Sequence, residues 1–430
     1  MSPFTPVRKL EVSRRMAKGE SVPVGTLAQN RDGVFFRYDT DYLRQGQNLS
    51  PFNLTFDDSL QAAPKSPHGG LHGLFADSLP DGWGLLLMDR VFRRQGVLPH
   101  QLTTMDRLAY IGDRGMGALT FAPVSALAPE DDEPTIAIGT LGREAVQVFE
   151  GQTDDVLQEL AQAGSSGGAR PKAQIYRGQD GSPQVSTLPA PGREPWLVKF
   201  TSASLALGHE EGLCEAAYLT LAQTAGIKVS EWELITAPQP TDAIAWLALK
   251  RFDCDPTRPA TGRYHLQSAC GLLDADFRMP SLDYEDLIKA TQLLCKSIPA
   301  AREQFRRAIF NLFTLNQDDH SKNVSFLMDD VGNWQPAPFY DATFSPSPHG
   351  ESSTAFCGHG RQPPAKAIQA MGRQAGYSRW SEIQPIIQEV ATAVQGWDEQ
   401  AKALGVSART RKLIAKNLEQ VRQDNASLMR

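Results

Sequence analysis

The chain has 430 residues, 41% of them hydrophobic and 21% charged, with a formal net charge of −6 at pH 7. This length exceeds one ordinary hydrophobic core and predicts roughly two or three domains, and the composition excludes a largely disordered protein. No run of about 18 apolar residues occurs, which excludes a spanning helix, and the first ten residues lack an apolar signal segment. The five cysteines have no paired spacing, which predicts reduced thiols and a cytoplasmic location. The acidic balance gives no global attraction to nucleic acid.

The first part of the chain predicts short strands followed by a helix. Residues 25–28 and 33–38 are strand-like runs separated by turn residues, and residues 85–94 form a helical pattern. Residues 125–140 are polar and predict a surface linker. We therefore expect a β-rich N-terminal subdomain over residues 1–125.

The middle of the chain, residues 126–255, predicts an α/β region. Residues 196–200 alternate like a buried strand, with Leu197 and Lys199 on one face. Apolar residues then recur at helical spacing over residues 213–221, and another apolar strand precedes residue 252. Beyond it, residues 256–430 are mostly helical in pattern. The fold class we expect is an α/β N-terminal half followed by an all-helical C-terminal half.

A dense polar segment, residues 316–323, lies between an apolar helix and the strand-like residues 324–328. Four residues separate Asp318 from Asn323, and Asp341 follows after a turn and a second strand-like run. Phosphoryl transfer needs a carboxylate to accept the proton of the attacking hydroxyl, and further oxygen ligands to hold Mg²⁺. The spacing therefore predicts the catalytic loop of a kinase, followed by a hairpin that returns a second aspartate.

Two upstream features suit the same chemistry. Lys199 lies among apolar neighbours, where it can bind nucleotide phosphates and pair with Glu215 on the next helix. Residues 164–172 are rich in glycine, and the backbone N–H groups of such a segment can bind phosphate. Plainer interpretations stay open: a lysine that extends to solvent, a flexible linker, and a polar turn in which His320 bonds to backbone.

Taken together in chain order, these segments resemble the HipA family, the serine/threonine kinase toxins of bacterial type II toxin–antitoxin modules. Order and spacing carry the resemblance more than any single segment does. It implies a two-lobed, protein-kinase-like (HipA-like) fold and the cofactors ATP and Mg²⁺. The matching segments are residues 24–27, 75–82, 114–119, 165–172, 197–200, 250–253, 318–323 and 340–341.

The resemblance also implies roles for individual residues. It makes Asp318 the catalytic base, completes the catalytic loop with His320 and Lys322, and assigns Mg²⁺ to Asn323 and Asp341. Residues 250–252 are expected beside adenine, mainly through backbone. The residues expected to bind ATP are Gly167, Gly168, Ala169, Lys172, Lys199, Glu215, Lys250, Arg251 and Phe252.

A regulatory site is implied as well. In this family, a serine ahead of the Gly-Ala pair can be autophosphorylated, which ejects the loop and stops ATP binding. Ser165 stands at that place, with Ser166 as the alternative. A phosphate there adds nearly two negative charges beside a site for ATP phosphates, so repulsion is expected.

The function that the resemblance implies is a growth-arresting protein serine/threonine kinase, with a translation component such as an aminoacyl-tRNA synthetase as substrate. A HipB-like helix-turn-helix antitoxin is the expected partner, and operator DNA is contacted through that complex. The alternatives are a non-catalytic, kinase-like co-repressor that binds antitoxin and DNA, and a small-molecule kinase. A basic helical stretch, usually a solvated face, assists DNA contact at most. It comprises Arg409, Arg411, Lys412 and Lys416.

Overall fold

The computed structural model describes residues 4–129, 135–163, 167–239 and 241–430. Its N-terminal part contains an antiparallel sheet whose strands bury alternate residues, so that one face packs on a core that includes Val12, Phe36 and Phe75. The strands are β1 (Lys9–Arg15), β2 (Ser21–Asn30), β3 (Gly33–Tyr38), β4 (Gln61–Ala62) and β5 (Leu119–Ala122). They lie in the order β4-β3-β2-β1-β5. The strands expected at residues 25–28 and 33–38 are thus confirmed within β2 and β3.

Short helices cover the connections of this sheet. They are α1 (Thr40–Gln45), α2 (Gly73–Ala76), α3 (Gly82–Arg94) and α4 (Thr104–Ile111). Helix α4 begins at a capping box, in which the Thr103 hydroxyl accepts the Asp106 N–H and Asp106 accepts the Thr103 N–H. The expected helix at residues 85–94 is confirmed, and α3 begins three residues earlier.

A second antiparallel sheet forms the middle of the chain. Its strands are β6 (Thr135–Ala137), β7 (Lys172–Arg177), β8 (Gln184–Ser186), β9 (Glu194–Lys199), β10 (Trp232–Thr236) and β11 (Ala245–Lys250), in the order β10-β11-β9-β7-β8-β6. Its helices are α5 (Ile138–Phe149), α6 (Gln158–Gln162) and α7 (Glu211–Thr224). Strand β9 is central, and Lys199 lies opposite Lys172 on β7 and Leu247 on β11.

The expected surface linker over residues 125–140 is wrong at its C-terminal end. Residues 135–137 form β6, which pairs with β8 through Ile136 and Val185, and α5 begins at Ile138. Residues 135–137 form a strand because they pair with the edge of the sheet, and the polar composition of the segment does not indicate this pairing. Residues 130–134 lie outside the described residues.

The C-terminal part is dominated by helices that pack around one large core, to which α7 also belongs. They are α8 (Ala269–Leu273), α9 (Tyr284–Cys295), α10 (Ile298–Thr314), α11 (Ala365–Gln374), α12 (Trp380–Val394), α13 (Trp397–Ala403) and α14 (Ala408–Asp424). Small strands join them: β12 (His265–Ser268), β13 (Leu282–Asp283), β14 (Ser325–Met328), β15 (Trp334–Pro336) and β16 (Thr354–Ala355). Strands β12, β14 and β15 form one sheet, and β13 pairs with β16 in parallel.

The division into an α/β N-terminal half and a helical C-terminal half is confirmed, with these short strands as an addition to the helical half. The hairpin expected after residue 323 is β14 and β15. Within the described residues, no helix combines the length and apolar character needed to cross a membrane. The cysteines, all in the described part of the chain, are free thiols. The boundaries after residues 125 and 255 stay predictions.

Candidate active site

A cavity of about 540 Å³ lies where the three parts of the chain meet. The N-terminal part contributes residues 77–85 and 116–119, the second sheet contributes β9 and β11, and the C-terminal part contributes the loop after α10. Glu215 lies behind the cavity wall and contacts Lys199. The sequence-predicted site residues that line the cavity are Gly167, Gly168, Ala169, Lys172, Lys199, Lys250, Arg251, Phe252, Asp318, His320, Lys322, Asn323 and Asp341.

Lys199 connects the two halves of this site. Leu197 and Lys199 both line the cavity, as the alternation of β9 predicts. Lys199 is 6% exposed, and its ammonium donates to Glu215 Oε1 at 2.6 Å and to the Asp341 carboxylate. Burial opposes the charge, but Asp341 and Glu215 together raise the pKa of Lys199 above its ordinary value. Lys199 is therefore a fixed cation between two carboxylates.

Asp341 is held at the end of the segment that follows β15. Burial opposes ionisation of its carboxyl, but Lys199 and Lys172 lower the pKa of Asp341 far below its ordinary value. Its φ of 57° lies in the left-handed region, which aspartate tolerates better than most residues. The preceding Tyr340 stacks on Phe252 and donates its hydroxyl to the Lys322 carbonyl at 2.7 Å, so Asp341 is tied to the catalytic loop.

The loop predicted to be catalytic, residues 316–323, is fixed by side-chain hydrogen bonds to its own backbone and to neighbouring elements. Asn323 Nδ2 donates to the Asp318 carbonyl at 2.7 Å, and the Asp318 N–H donates to Ser345 Oγ at 3.2 Å. The Asp318 carboxylate is left open to the cavity, with His320 Nε2 at 3.8 Å. Desolvation in the cavity raises the pKa of Asp318, and Asp341 adds to this while His320 opposes it. A carboxylate of raised basicity suits a proton acceptor.

Asp319 holds this loop to the buried interior of the helical part. Its carboxylate accepts the Tyr284 hydroxyl at 2.6 Å and the Thr354 N–H at 3.1 Å, and Asn311 Nδ2 donates to the same tyrosine oxygen at 2.8 Å. Burial raises the pKa of Asp319 to about 7, although these hydrogen bonds lower it. The loop is thereby joined to α9, α10 and β16.

This anchor predicts a pH-dependent stability. Because the pKa of Asp319 is about 7 in the folded chain and ordinary in the unfolded chain, folding binds a proton between about pH 4 and 7, and stability falls as pH rises through that window. Asp319→Asn is expected to remove up to about 4 kcal/mol of this pH-dependent loss. The hydrogen bonds that the variant loses change its free energy of unfolding by an amount that does not depend on pH. Urea unfolding of wild type and variant from pH 4.5 to 7.5 measures the difference, and parallel curves would contradict the expectation.

The residues that can hold Mg²⁺ are Asp341 and Asn323. Asp341 is ionised, and Asn323 directs its Nδ2 to the Asp318 carbonyl, which leaves the amide oxygen as the unengaged end. Within the described residues no cluster of three His, Cys, Asp or Glu side chains could hold a metal. Mg²⁺ commonly binds one or two protein oxygens together with water and substrate phosphates, so this donor set fits a nucleotide-bound ion.

The glycine-rich segment, residues 164–172, is described from Gly167 onward, and Ser165 and Ser166 lie outside the described residues. Lys172 Nζ donates to the Gly167 carbonyl at 2.6 Å, and burial lowers the pKa of Lys172 to about 8. Gly168 has a φ of 98°, a backbone conformation that strains residues with a side chain, and a Cβ there would also displace Lys172 Nζ, which lies 2.6 Å from its position.

Residues 250–252 line the cavity, but much of their polar capacity is engaged elsewhere. Lys250 Nζ pairs with Glu194 at 2.9 Å, and Arg251 pairs with the buried Asp253 at 2.6 Å. The N–H groups of Lys250 and Arg251 donate to backbone carbonyls of Glu231 and Pro195 at 2.8 and 3.0 Å. If residues 250–252 contact the adenine of a nucleotide, the contact therefore depends on other groups. These are the side chain of Phe252 and the backbone groups that are not in the hydrogen bonds above.

The cavity is also lined by charged residue types to which the sequence analysis gives no role, among them Asp81 and Arg170. Asp81 accepts from Lys322 and Gly168, and Arg170 pairs with Glu211 at 3.2 Å. Asp81 belongs to the segment 75–82 that carries the family resemblance, which is the signal that could have pointed to it. Its partners are distant in sequence, so spacing does not reveal them.

A lysine on the second sheet pairs with a glutamate on helix α7, and the pair faces the polar loop of the helical part across the cavity. This arrangement is that of a two-lobed protein-kinase-like fold. The same fold occurs in HipA of Shewanella oneidensis MR-1, solved with HipB and its operator DNA: the TM-score is 0.70 at 19% identity, over 97% of both chains. The HipA-like C-terminal domain family matches residues 164–397 and the HipA N-terminal domain family matches residues 18–122. The chain belongs to the HipA family.

Other comparisons add little. The Helicobacter pylori proinflammatory kinase CtkA matches with a TM-score of 0.36 at 13% identity, over 60% of this chain and 89% of that one, which is too remote to support an inference. A search of curated protein sequences found no significant match.

Proposed function

We propose that this chain is an ATP- and Mg²⁺-dependent serine/threonine protein kinase and the toxin of a HipBA-like toxin–antitoxin module. One observation supports this most: Lys199, Asp318, Asn323 and Asp341, predicted from sequence as a phosphoryl-transfer set, line a single cavity, with Glu215 bonded to Lys199. A chain that only binds partners has no need for this combination of charges.

In the proposed mechanism, the Asp318 carboxylate accepts the proton of the substrate hydroxyl as that oxygen bonds to the γ-phosphorus; the bond from that phosphorus to the β–γ bridging oxygen breaks, and ADP leaves. The Lys199 ammonium, held by Glu215, contacts the phosphates, and Lys172 adds positive charge beside it. Asn323 and Asp341 would hold Mg²⁺, which neutralises phosphate charge when bound. His320 and Lys322 complete the loop, and Lys322 stabilises the transferred phosphate.

The partners are proposed from the family. The matched Shewanella HipA was solved with HipB and operator DNA, and we propose a HipB-like helix-turn-helix antitoxin here, with operator DNA contacted through that complex. A translation component such as an aminoacyl-tRNA synthetase is the proposed substrate.

The test is transfer of label from [γ-³²P]ATP by the purified chain, alone and with cell extract, with Mg²⁺ or with EDTA. Mg²⁺-dependent labelling of a protein band supports the protein kinase. Labelled metabolites without a labelled band would favour a small-molecule kinase. No transfer to any acceptor would favour the non-catalytic co-repressor.

Autophosphorylation is proposed at Ser165. Ser165→Ala is expected to remove most self-labelling. Ser166→Ala is the matched control: it changes the next residue in sequence and keeps Ser165, so self-labelling should be retained. Mass spectrometry of the phosphopeptide measures both. Retention of the label on Ser166 in the first variant would reverse the assignment.

A further inference from the structure

The carboxylate of Asp81 extends from the N-terminal part of the chain into the candidate active site. Asp81 precedes α3 at the N-cap position, yet its side chain makes no capping hydrogen bond to that helix. It instead accepts from Lys322 Nζ at 2.7 Å and from the Gly168 N–H. One side chain thus joins the catalytic loop to the glycine-rich segment. We call this pair of contacts the Asp81 bridge.

Backbone contacts around Asp81 fix the same junction. The Trp83 N–H donates to the Gly168 carbonyl at 3.0 Å, and Trp83 Nε1 donates to the Lys172 carbonyl at 2.8 Å. A Cβ on Gly82 would lie 2.7 Å from Ala169 Cα, so the two segments are in direct backbone contact. Residues 81–83 therefore help to hold the glycine-rich segment in place at Gly168, Ala169 and Lys172.

The charges make the bridge specific. Burial opposes ionisation of Asp81, but Lys322 and the Gly168 N–H lower the pKa of its carboxyl below the ordinary value. Lys322 Nζ also lies 4.6 Å from the centre of the Phe277 ring, a cation–π contact on its other side. The Lys322 ammonium is thus held between one carboxylate and one aromatic face. A charge-assisted hydrogen bond of this kind fixes geometry more strongly than a neutral one.

We propose that Asp81 is a positioning residue of the phosphoryl-transfer site, through which the N-terminal part of the chain holds both Lys322 and the glycine-rich segment in place. The proposal rests on the proposed kinase function for its catalytic consequence. Its structural consequence, an ordered segment over residues 167–172, does not depend on catalysis.

Amide hydrogen exchange of the nucleotide-free full chain tests the structural part. Asp81→Ala removes both contacts and is expected to speed exchange over residues 167–172 about tenfold or more, a change equivalent to the loss of one such hydrogen bond. Asp81→Asn keeps an acceptor for the Gly168 N–H and should give a smaller change. Asp89→Asn is the matched control: Asp89 lies on α3, the helix that Asp81 precedes, and the substitution breaks its 2.8 Å ion pair with Arg107 on α4, outside the cavity.

Kinetics test the catalytic part. Asp81→Asn is expected to lower kcat about tenfold with little change in KM for ATP, because Lys322 loses its charged partner while the segment stays in place. Asp81→Ala should also raise KM, and Asp89→Asn should change neither. If Asp81→Ala does not fold by circular dichroism, the Asp81→Asn arm decides alone. Wild-type exchange and wild-type kinetic constants in the folded Asp81 variants would overturn the proposal. If exchange is faster in the Asp81 variants but the wild-type chain shows no phosphoryl transfer, the structural role of the Asp81 bridge stands and the proposed kinase function is rejected.

Discussion

Asp318→Ala is expected to lower phosphoryl transfer by about 10²–10⁴-fold while leaving the affinity for ATP nearly unchanged. The reason is that the Asp318 carboxylate is open to the cavity and, within the described residues, has no ion pair closer than 3.8 Å, so its removal deletes the proposed proton acceptor without disturbing the proposed phosphate-binding cations. Single-turnover rates and isothermal titration with a non-hydrolysable ATP analogue measure the two quantities separately.

The control for this variant is Asp286→Ala, which removes an exposed carboxylate from α9 outside the cavity and should leave both quantities at wild-type values. A fall in nucleotide affinity equal to the fall in rate would mean that Asp318 acts in binding. An unchanged rate would mean that another group accepts the proton.

Lys199→Met is expected to abolish ATP binding and to destabilise the fold by about 3–5 kcal/mol, the cost of leaving buried charge without its partner. The variant leaves the carboxylates of Glu215 and Asp341 near each other with no ammonium between them, and Glu215 is 1% exposed. Urea denaturation measures the free energy of unfolding, and titration calorimetry measures nucleotide binding.

A double variant separates the two effects. In Lys199→Met/Glu215→Gln the more buried of the two carboxylates is neutral and only Asp341 keeps its charge, so a large part of the lost stability should return while ATP binding stays absent. If the double variant is no more stable than Lys199→Met, the stability loss comes from packing of the lysine stem and the ion-pair account is wrong. If Lys199→Met binds ATP normally, the proposed phosphate contact is wrong.

The parts of the site that the sequence predicts are those that are local along the chain. Asp318 and Asn323 fall within one short loop, and apolar periodicity predicts the helix and the hairpin that flank it. Lys199 lies on a strand that the alternation of side chains in the sequence predicts. The structure places all three on the cavity. Their chemical roles stay predictions that the variants above address.

The parts that sequence does not predict depend on contacts between distant segments. Lys322 and Asp81 are separated by 241 positions, and Lys199 and Asp341 by 142, and no spacing rule relates residues so far apart. Asp319 is adjacent to the predicted base in sequence, yet it is directed into the protein, because Tyr284 and Thr354 provide its hydrogen-bond donors. Strand β6 depends likewise on a partner strand and not on its own composition.

The contact between Gly82 and Ala169 has an evolutionary consequence. Gly82 has a φ of 42°, and no atom beyond its hydrogen fits between the two backbones. A recombinant that joins this chain to a homologue would therefore need glycine at position 82 for the backbone of Ala169 to keep this place. The constraint comes from the close approach of two backbone segments that both line the candidate active site.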